Sequence, residues 1–334
     1  MKPTIYDVAK EAGVSTATVY KVINNLSVSK KTKDKVKKAM NDWTGRPSVP
    51  AADPSAKKAF MIGFLLPDLS NPFLTEMAIK IEERAHEKGH HLVICTTNFT
   101  KDKEASYVSS LKQRGLDGFI LAGAFENLDV IQGLVDEGFP VSLLMESHRS
   151  LSINSVKVDD YMGGYQATTH LLSLGHERVA VIAEDANSSR ERIEGYKQAM
   201  LDRGFKAEKS LIMISDSSSD SAEHLTDELL SLSQPPTAIL ACSEVLTIGA
   251  TMSIRKRKLQ IPDDLSVVGF DYTLLSKSID PPLTTIVQPV EAMCDYVVDL
   301  LIEEIEGKSK LKQGIVLLPE LIIRNSTGKV KNEQ

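Results

Sequence analysis

The sequence predicts an α/β protein: a small three-helix head in front of a larger core of two lobes, each a parallel sheet with helices on both faces. Three observations carry this. The opening residues place apolar side chains at helical spacing, broken by a glycine and then a serine. From Phe60 onward, short continuous apolar runs alternate with amphipathic helical stretches, as buried parallel strands joined by helices do. Between the two lies a proline-rich stretch with almost no large apolar side chain, which reads as a linker.

In the head, Ile5, Val8, Ala9 and Ala12 recur at helical spacing, Thr4 is placed to cap the first turn with Asp7 three residues on, and Gly13 tolerates the left-handed backbone that ends a helix. Ser15 caps a second helix. Its inward face is Val19, Val22 and Ile23, which leaves Thr16, Ala17, Tyr20 and Lys21 pointing outward. Two short helices hinged at a glycine form a helix-turn-helix, and those outward positions are the ones that meet base edges in a major groove. A third helix opens after Ser29 and carries six lysines between Lys30 and Lys38 around a seam of Val36, Ala39 and Met40.

The net charge of −6 is unevenly spread: residues 1–46 hold nine Lys and one Arg against Asp7, Glu11, Asp34 and Asp42. A basic head on an acidic body suits a protein whose head meets phosphate. A lysine-rich helix alone is ordinarily a solvated surface; behind the helix pair it reads as a nucleic-acid contact. Cys95, Cys242 and Cys294 are odd in number, far apart and set in or beside apolar runs, as reduced core or pocket-wall residues are. The chain opens without an apolar signal segment and lacks any run of about 18 apolar residues. The expected compartment is the cytoplasm.

Gly45 to Lys58, with Pro47, Pro50 and Pro54, is the linker. Strands are expected at Met61 to Leu66, Leu92 to Cys95, Gly118 to Leu121, Val141 to Leu144, Val179 to Ile182, Ala238 to Ala241 and Leu265 to Phe270, with a helix from about Pro72 to Lys88. So many strands exceed one comfortable sheet, hence two lobes. Ligands of such sheets sit where loops leave the carboxyl ends of strands, so the cleft between the lobes is the natural pocket.

The head from Ile5-Tyr6-Asp7-Val8-Ala9 through Gly13-Val14-Ser15 to Thr18-Val19, with Val28-Ser29 and Thr32, resembles the signature of the lactose and galactose repressor (LacI/GalR) family of bacterial transcription regulators. The core blocks Pro67 to Phe73, Val158-Asp159-Asp160 with Gly163, His170 to His176, Arg192 to Tyr196, Ile261 to Asp264, Gly269-Phe270-Asp271 and Pro282 to Ile286 are similar to family blocks in the same order. Each block is weak alone; their order is specific. The resemblance implies a helix-turn-helix head over 1–45, a hinge over 46–60, and a periplasmic-binding-protein-like core over 61–334. Its N-lobe would span about 61–159 and 289–318 and its C-lobe about 160–288 and 319–328, with crossings near Asp159, Gln288 and Pro319. It also implies a homodimer binding a pseudo-palindromic operator, most often as a repressor, under control of a small effector in the cleft.

Carried over residue by residue, the resemblance puts phosphate contacts at Ser15, Thr18, Asn24, Ser29 and Thr32, and base reading at Thr16, Ala17 and Lys21. Lys21 stands where many relatives have arginine and Tyr20 where many have serine, which weakens bidentate guanine recognition and brings a phenol to the groove edge. The hinge positions where relatives carry an alanine-arginine pair and a wedging leucine read Ala51-Ala52 and Pro54. A proline inside so short a helix costs roughly 3 kcal/mol, so the expectation is an extended or partly helical hinge and a smaller DNA bend. Effector contacts correspond to Asn71, Phe73, Arg192, Ser243-Glu244 and Asp271, a set suited to a sugar, sugar acid or phosphorylated sugar. Phe73 could equally be core filling, and Asp271 could cap the following loop.

Other motifs carry no chemistry. His86-Glu87-Lys88-Gly89-His90 matches H-E-x-x-H, but Gly89 is expected to end the helix after Lys88, so the two histidines would not converge on zinc. No dinucleotide or phosphate-loop glycine pattern occurs, and Ser188-Ser189-Arg190 lacks the glycines of a nucleophile elbow. No catalytic residue, metal or cofactor is therefore expected. His170 and His176 read as solvent-facing residues at a helix end, and Arg255-Lys256-Arg257-Lys258 as exposed surface. Two rival readings stand beside the effector-controlled regulator: a regulator answering to a protein partner with a vestigial cleft, and a solute-binding protein that does not bind DNA.

Overall fold

The computed structural model describes residues 5–23, 26, 28–43, 59–123, 125, 127–273, 277–309 and 311–331. The chain separates into two compact units, Met1–Lys58 and Ala59–Gln334. Thr4, Asn24, Ala51-Ala52, Pro54 and the hinge as far as Lys58 lie outside the described residues, as does the Ile23 side chain.

The first unit contains α1 (Ile5–Ala12), α2 (Thr16–Ile23) and α3 (Lys30–Trp43). Val8, Ala9, Ala12, Val19, Val22, Val36 and Ala39 form its core, with Val19 and Val36 fully buried. Gly13, at φ +64°, makes the left-handed turn between α1 and α2, and the Val14 amide donates back to the Ala9 carbonyl at 3.0 Å. Ser15 and Ser29 act in the same way at the starts of α2 and α3. Each Oγ accepts from a backbone amide three residues on, Thr18 at 3.2 Å and Thr32 at 3.3 Å.

The second unit contains two six-stranded sheets. One holds β1 (Met61–Leu66), β2 (His91–Thr96), β3 (Gly118–Ala122), β4 (Val141–Leu144), β5 (Asn154–Val158) and β11 (Gly314–Leu317) in the order β11-β5-β4-β3-β1-β2, all parallel. The other holds β6 (Val179–Glu184), β7 (Ile212–Ser215), β8 (Ala238–Ala241), β9 (Ser266–Phe270), β10 (Thr284–Val287) and β12 (Glu320–Ile322) in the order β12-β10-β9-β8-β6-β7. It is parallel except at its edge, where β12 runs antiparallel to β10.

Alternation along each strand feeds two cores per lobe. In the first sheet, Ile62, Phe64, Leu66 and Ile120 pack on α4 (Pro72–Glu87) and α11 (Val290–Ile305), while Leu65, Phe119 and Leu121 pack on α5 (Lys101–Gln113) and α6 (Leu128–Asp136). In the second, Val179, Val181 and Ala183 face α7 (Asp160–Ser173) and α8 (Asn187–Asp202), and Ala180 and Ile182 face α9 (Ser219–Leu230) and α10 (Glu244–Lys256). The chain passes between the lobes after β5 at Asp159, after β10 at Gln288-Pro289, and between β11 and β12 at Leu318-Pro319.

α7 and α8 approach so closely that only glycine fits where they cross. A Cβ on Gly164 would lie 2.0 Å from the Arg192 carbonyl oxygen, and one on Gly195 would lie 2.0 Å from that of Tyr161. The crossing fixes the first turns of α8, where Arg192 sits.

Candidate functional site

On the head, the outward face of α2 matches the expectation from its periodicity. Ala17, Tyr20 and Lys21 are exposed, Tyr20 at 59 %, and Thr16 and Thr18 are half-buried. The Ser15 and Thr18 hydroxyls bond each other at 2.9 Å, and those of Ser29 and Thr32 do so at 2.7 Å. Four hydroxyls thus stand at two helix N-termini, where amide dipoles favour an anionic oxygen. Lys30, Lys31, Lys35, Lys37 and Lys38 on α3 are exposed.

In the core, the loops leaving the carboxyl ends of the strands line a cleft of about 710 Å³, open mouth included. Five of the six residues expected from the sequence line it together: Asn71, Phe73, Arg192, Ser243 and Asp271. Asn71 is also the N-cap of α4, its side-chain oxygen accepting from the Phe73 amide at 3.0 Å. Phe73 proves to be both wall and core, 4 % exposed within the first lobe's apolar cluster.

Arg192 is the most constrained side chain of the site. Its Nε and Nη2 donate to a single oxygen of Asp160 at 2.8 and 2.7 Å, its Nη1 donates to the Cys242 carbonyl, and its guanidinium lies 3.8 Å above the Phe270 ring centroid. Burial opposes its charge, but Asp160 and then Asp271 hold its pKa above the ordinary arginine range. Asp271 is 4 % exposed. Burial pushes its carboxyl up to about 7, against the pull of Arg192 and of Gln288, whose Nε2 donates to it at 2.7 Å. That bond, rather than a loop cap, is what the Asp271 side chain makes.

Glu244 is not brought into the lining. Its carboxylate turns to Thr273, taking the hydroxyl at 2.6 and 2.7 Å and the amide at 3.3 Å. Ser243 lines the cleft in its place and caps α10. Sequence reasoning missed Phe99, Glu184, Ser217 and Gln288, which also line the cleft. A signal existed for these: each follows or ends a strand at its carboxyl edge. Phe99, Met145, Ser217 and Asp271 all adopt left-handed backbone, at φ +54°, +70°, +69° and +72°, so conformational strain gathers around this one opening. Beside it, a second pocket holds Glu146, which burial pushes up to about 7, and an interlobe pair, Lys157 to Glu191, at 2.8 Å.

The remaining motifs resolve structurally. α4 ends at Glu87, Gly89 is left-handed at φ +80°, and His90 lies beyond the helix with its Nδ1 accepting from the Phe60 amide at 3.1 Å. No group of three or more His, Cys, Asp or Glu suited to a metal occurs among the described residues. His170 and His176 do not face solvent as expected. His176 is 3 % exposed, its Nε2 donating to the Gly328 carbonyl at 3.0 Å and its Nδ1 accepting from the Thr237 hydroxyl at 2.9 Å; His170 bonds Thr327. They anchor the returning C-terminal segment, a contact of high sequence separation that local pattern does not reveal. In the basic run, Lys256 and Arg257 are occupied by Glu223 and Asp227 on α9. Cys95, Cys242 and Cys294 are free thiols, the last two buried. No helix among the described residues is long and apolar enough to cross a membrane.

Residues 4–47 match the model for bacterial regulatory proteins of the lacI family, and residues 168–327 match that for a periplasmic-binding-protein-like domain. The chain is 42 % identical over 333 residues to the HTH-type transcriptional regulator DegA of Bacillus subtilis (strain 168), covering 98 % of each. It superposes with a TM-score of 0.75 on the lac repressor dimer bound to operator and the anti-inducer ONPF, at 28 % identity over 98 % of this chain and 100 % of that one. With the transcriptional regulator CelR in its cellobiose complex the TM-score is 0.74, at 27 % identity over 97 % and 99 %. Head, core and full-length relatives agree: the chain belongs to the lacI family of DNA-binding bacterial transcription regulators.

Proposed function

We propose that this regulator binds a pseudo-palindromic operator as a homodimer in the cytoplasm, acts as a repressor, and is controlled by a small hydroxylated effector held between the lobes, by binding and not by turnover. The observation that carries this reading is the cleft itself: an aromatic and apolar wall from one lobe faces Glu184, Arg192, Ser243, Asp271 and Gln288 from the other. On the head, Thr16, Ala17 and Lys21 read bases, Tyr20 sits at the groove edge, and Ser15, Thr18, Asn24, Ser29 and Thr32 take phosphates. The lac repressor and CelR structures support the assignment, one being a dimer on operator and the other a complex with cellobiose.

Selection of bound fragments from random duplex DNA by the full-length protein tests the first part. The expected product is a pair of inverted half-sites protected together in a footprint. Enrichment of a single half-site, or of no sequence at all, rejects the dimeric operator reading.

A further inference from the structure

We infer that the cleft selects a polyhydroxylated amine and turns away carboxylated and phosphorylated metabolites, an assignment that rests on the reading of the cleft as the effector site. The argument is a charge inventory of its walls. The first lobe contributes Pro67, Asn71, Phe73, Phe99 and Met145 among its lining residues, and no charged side chain. The second contributes Glu184, Asp271 and a single cation, Arg192.

That cation is already matched. Its Nε and Nη2 hold one Asp160 oxygen and its Nη1 the Cys242 carbonyl, so the Arg192–Asp160 unit carries no net charge and three of the five guanidinium N–H groups are already taken. In the adjoining pocket Lys157 is bound at 2.8 Å by Glu191 and Arg190 at 2.7 Å by Asp185. Glu184 accepts from the Ser189 hydroxyl at 2.9 Å through one oxygen, and Asp271 accepts from Gln288 at 2.7 Å through one oxygen. The second oxygen of each takes no hydrogen bond among the described residues, although Asp271 is 96 % buried by its 4 % exposure. Glu244 adds a further buried carboxylate behind them, held by Thr273.

The walls therefore carry two part-satisfied carboxylates and no unmatched cation. A carboxylate or phosphate placed here meets repulsion with no compensating partner. A protonated amine has three N–H donors and can bond both open oxygens, with charge-assisted strength. Hydroxyl groups suit Asn71, Ser188, Ser217 and Ser243, and an apolar ring face suits Phe73 and Phe99. The Asp271 carboxyl is pushed up by burial, with Glu244 and Glu184 adding to the shift, and a bound cation would favour its ionised form.

The test is calorimetric titration of the full-length protein with matched series on three frameworks: glucosamine, galactosamine and mannosamine; glucose, galactose and mannose; glucuronate, galacturonate and mannose 6-phosphate. The best amine should bind roughly tenfold or more tighter than its neutral parent, one charge-assisted contact's worth, and the acids should give no heat. Glu184→Gln should bring the amine-to-neutral ratio toward one, with circular dichroism confirming an intact fold. An acid or phosphate that binds as tightly as the amine, or a ratio unmoved by Glu184→Gln, overturns the charge assignment while leaving the effector site standing. Flat titrations throughout all three series reject the effector reading of the cleft and this inference with it.

Discussion

Arg192 and Asp160 form a buried ion pair in which two guanidinium nitrogens, Nε at 2.8 Å and Nη2 at 2.7 Å, share one carboxylate oxygen, both side chains being 5 % exposed or less. The pair joins the first turns of α7 and α8 at the floor of the cleft. Breaking it from one side strands the partner charge. Arg192→Ala should therefore cost about 3–5 kcal/mol of stability, measured by urea unfolding, and Arg192→Met with Asp160→Leu should recover much of that loss. A single variant that unfolds at the wild-type midpoint would show that the pair is not buried in solution.

The lobes, the strand-helix alternation and five cleft residues were legible because each is a local pattern: continuous apolar runs, helix caps, or a motif next to a strand end. β5, β7, β10, β11 and β12 were not read as strands. Asn154–Val158 is polar at three of its five positions, and Ile212–Ser215, Gly314–Leu317 and Glu320–Ile322 are short edge strands. Their strand state comes from partners far along the chain, β11 pairing with β5 and β12 with β10, which tertiary context decides and propensity does not. Glu244 misled for the same reason: Thr273, which claims it, is remote in sequence.

Gly195 lies against the Tyr161 carbonyl with no room for a methyl group. Gly195→Ala should push α8 away from α7 and destabilise the protein by about 1–3 kcal/mol, and the displacement of Arg192 should weaken effector binding as well. Gly133→Ala on α6, where a Cβ meets nothing within 4 Å, is the control and should be neutral or slightly stabilising. Equal melting temperatures for the two variants would contradict the close crossing.

Two buried groups give opposite pH dependence. Asp271 is raised to about 7 from an ordinary 3.8 by burial, so its stabilisation is fully present below the unfolded value and is lost as pH rises through about 7. His176 is lowered by burial from 6.5, so its contribution is present above that value and lost as pH falls. Asp271→Asn should flatten the decline in stability between about pH 4 and 7, the window set by the ordinary 3.8 and the raised value of about 7, and His176→Gln should flatten the acid side. Midpoints from denaturant melts across pH would reveal both, and parallel curves for wild type and Asp271→Asn would refute the raised carboxyl.

On the head, Lys21→Ala should relax sequence preference where Lys21 reads a base; loss of affinity equal on all sequences would place it on phosphate instead. Ser29→Ala removes the α3 cap and should cost about 1 kcal/mol in the melting of the head while leaving the choice of site unchanged. Competition binding against a half-site library separates the two effects.

One short piece of chain completes both sheets. β11 closes the first at Gly314–Leu317, β12 closes the second at Glu320–Ile322, and Ser326 then ties Val267 to Thr284 through its hydroxyl. A ribosome that has made everything up to Gln313 has finished neither lobe, however much of each has already emerged. The last-made strands thus act as a seal on the whole sensor. A truncated product leaves two raw sheet edges at once, which marks it for proteolysis or aggregation.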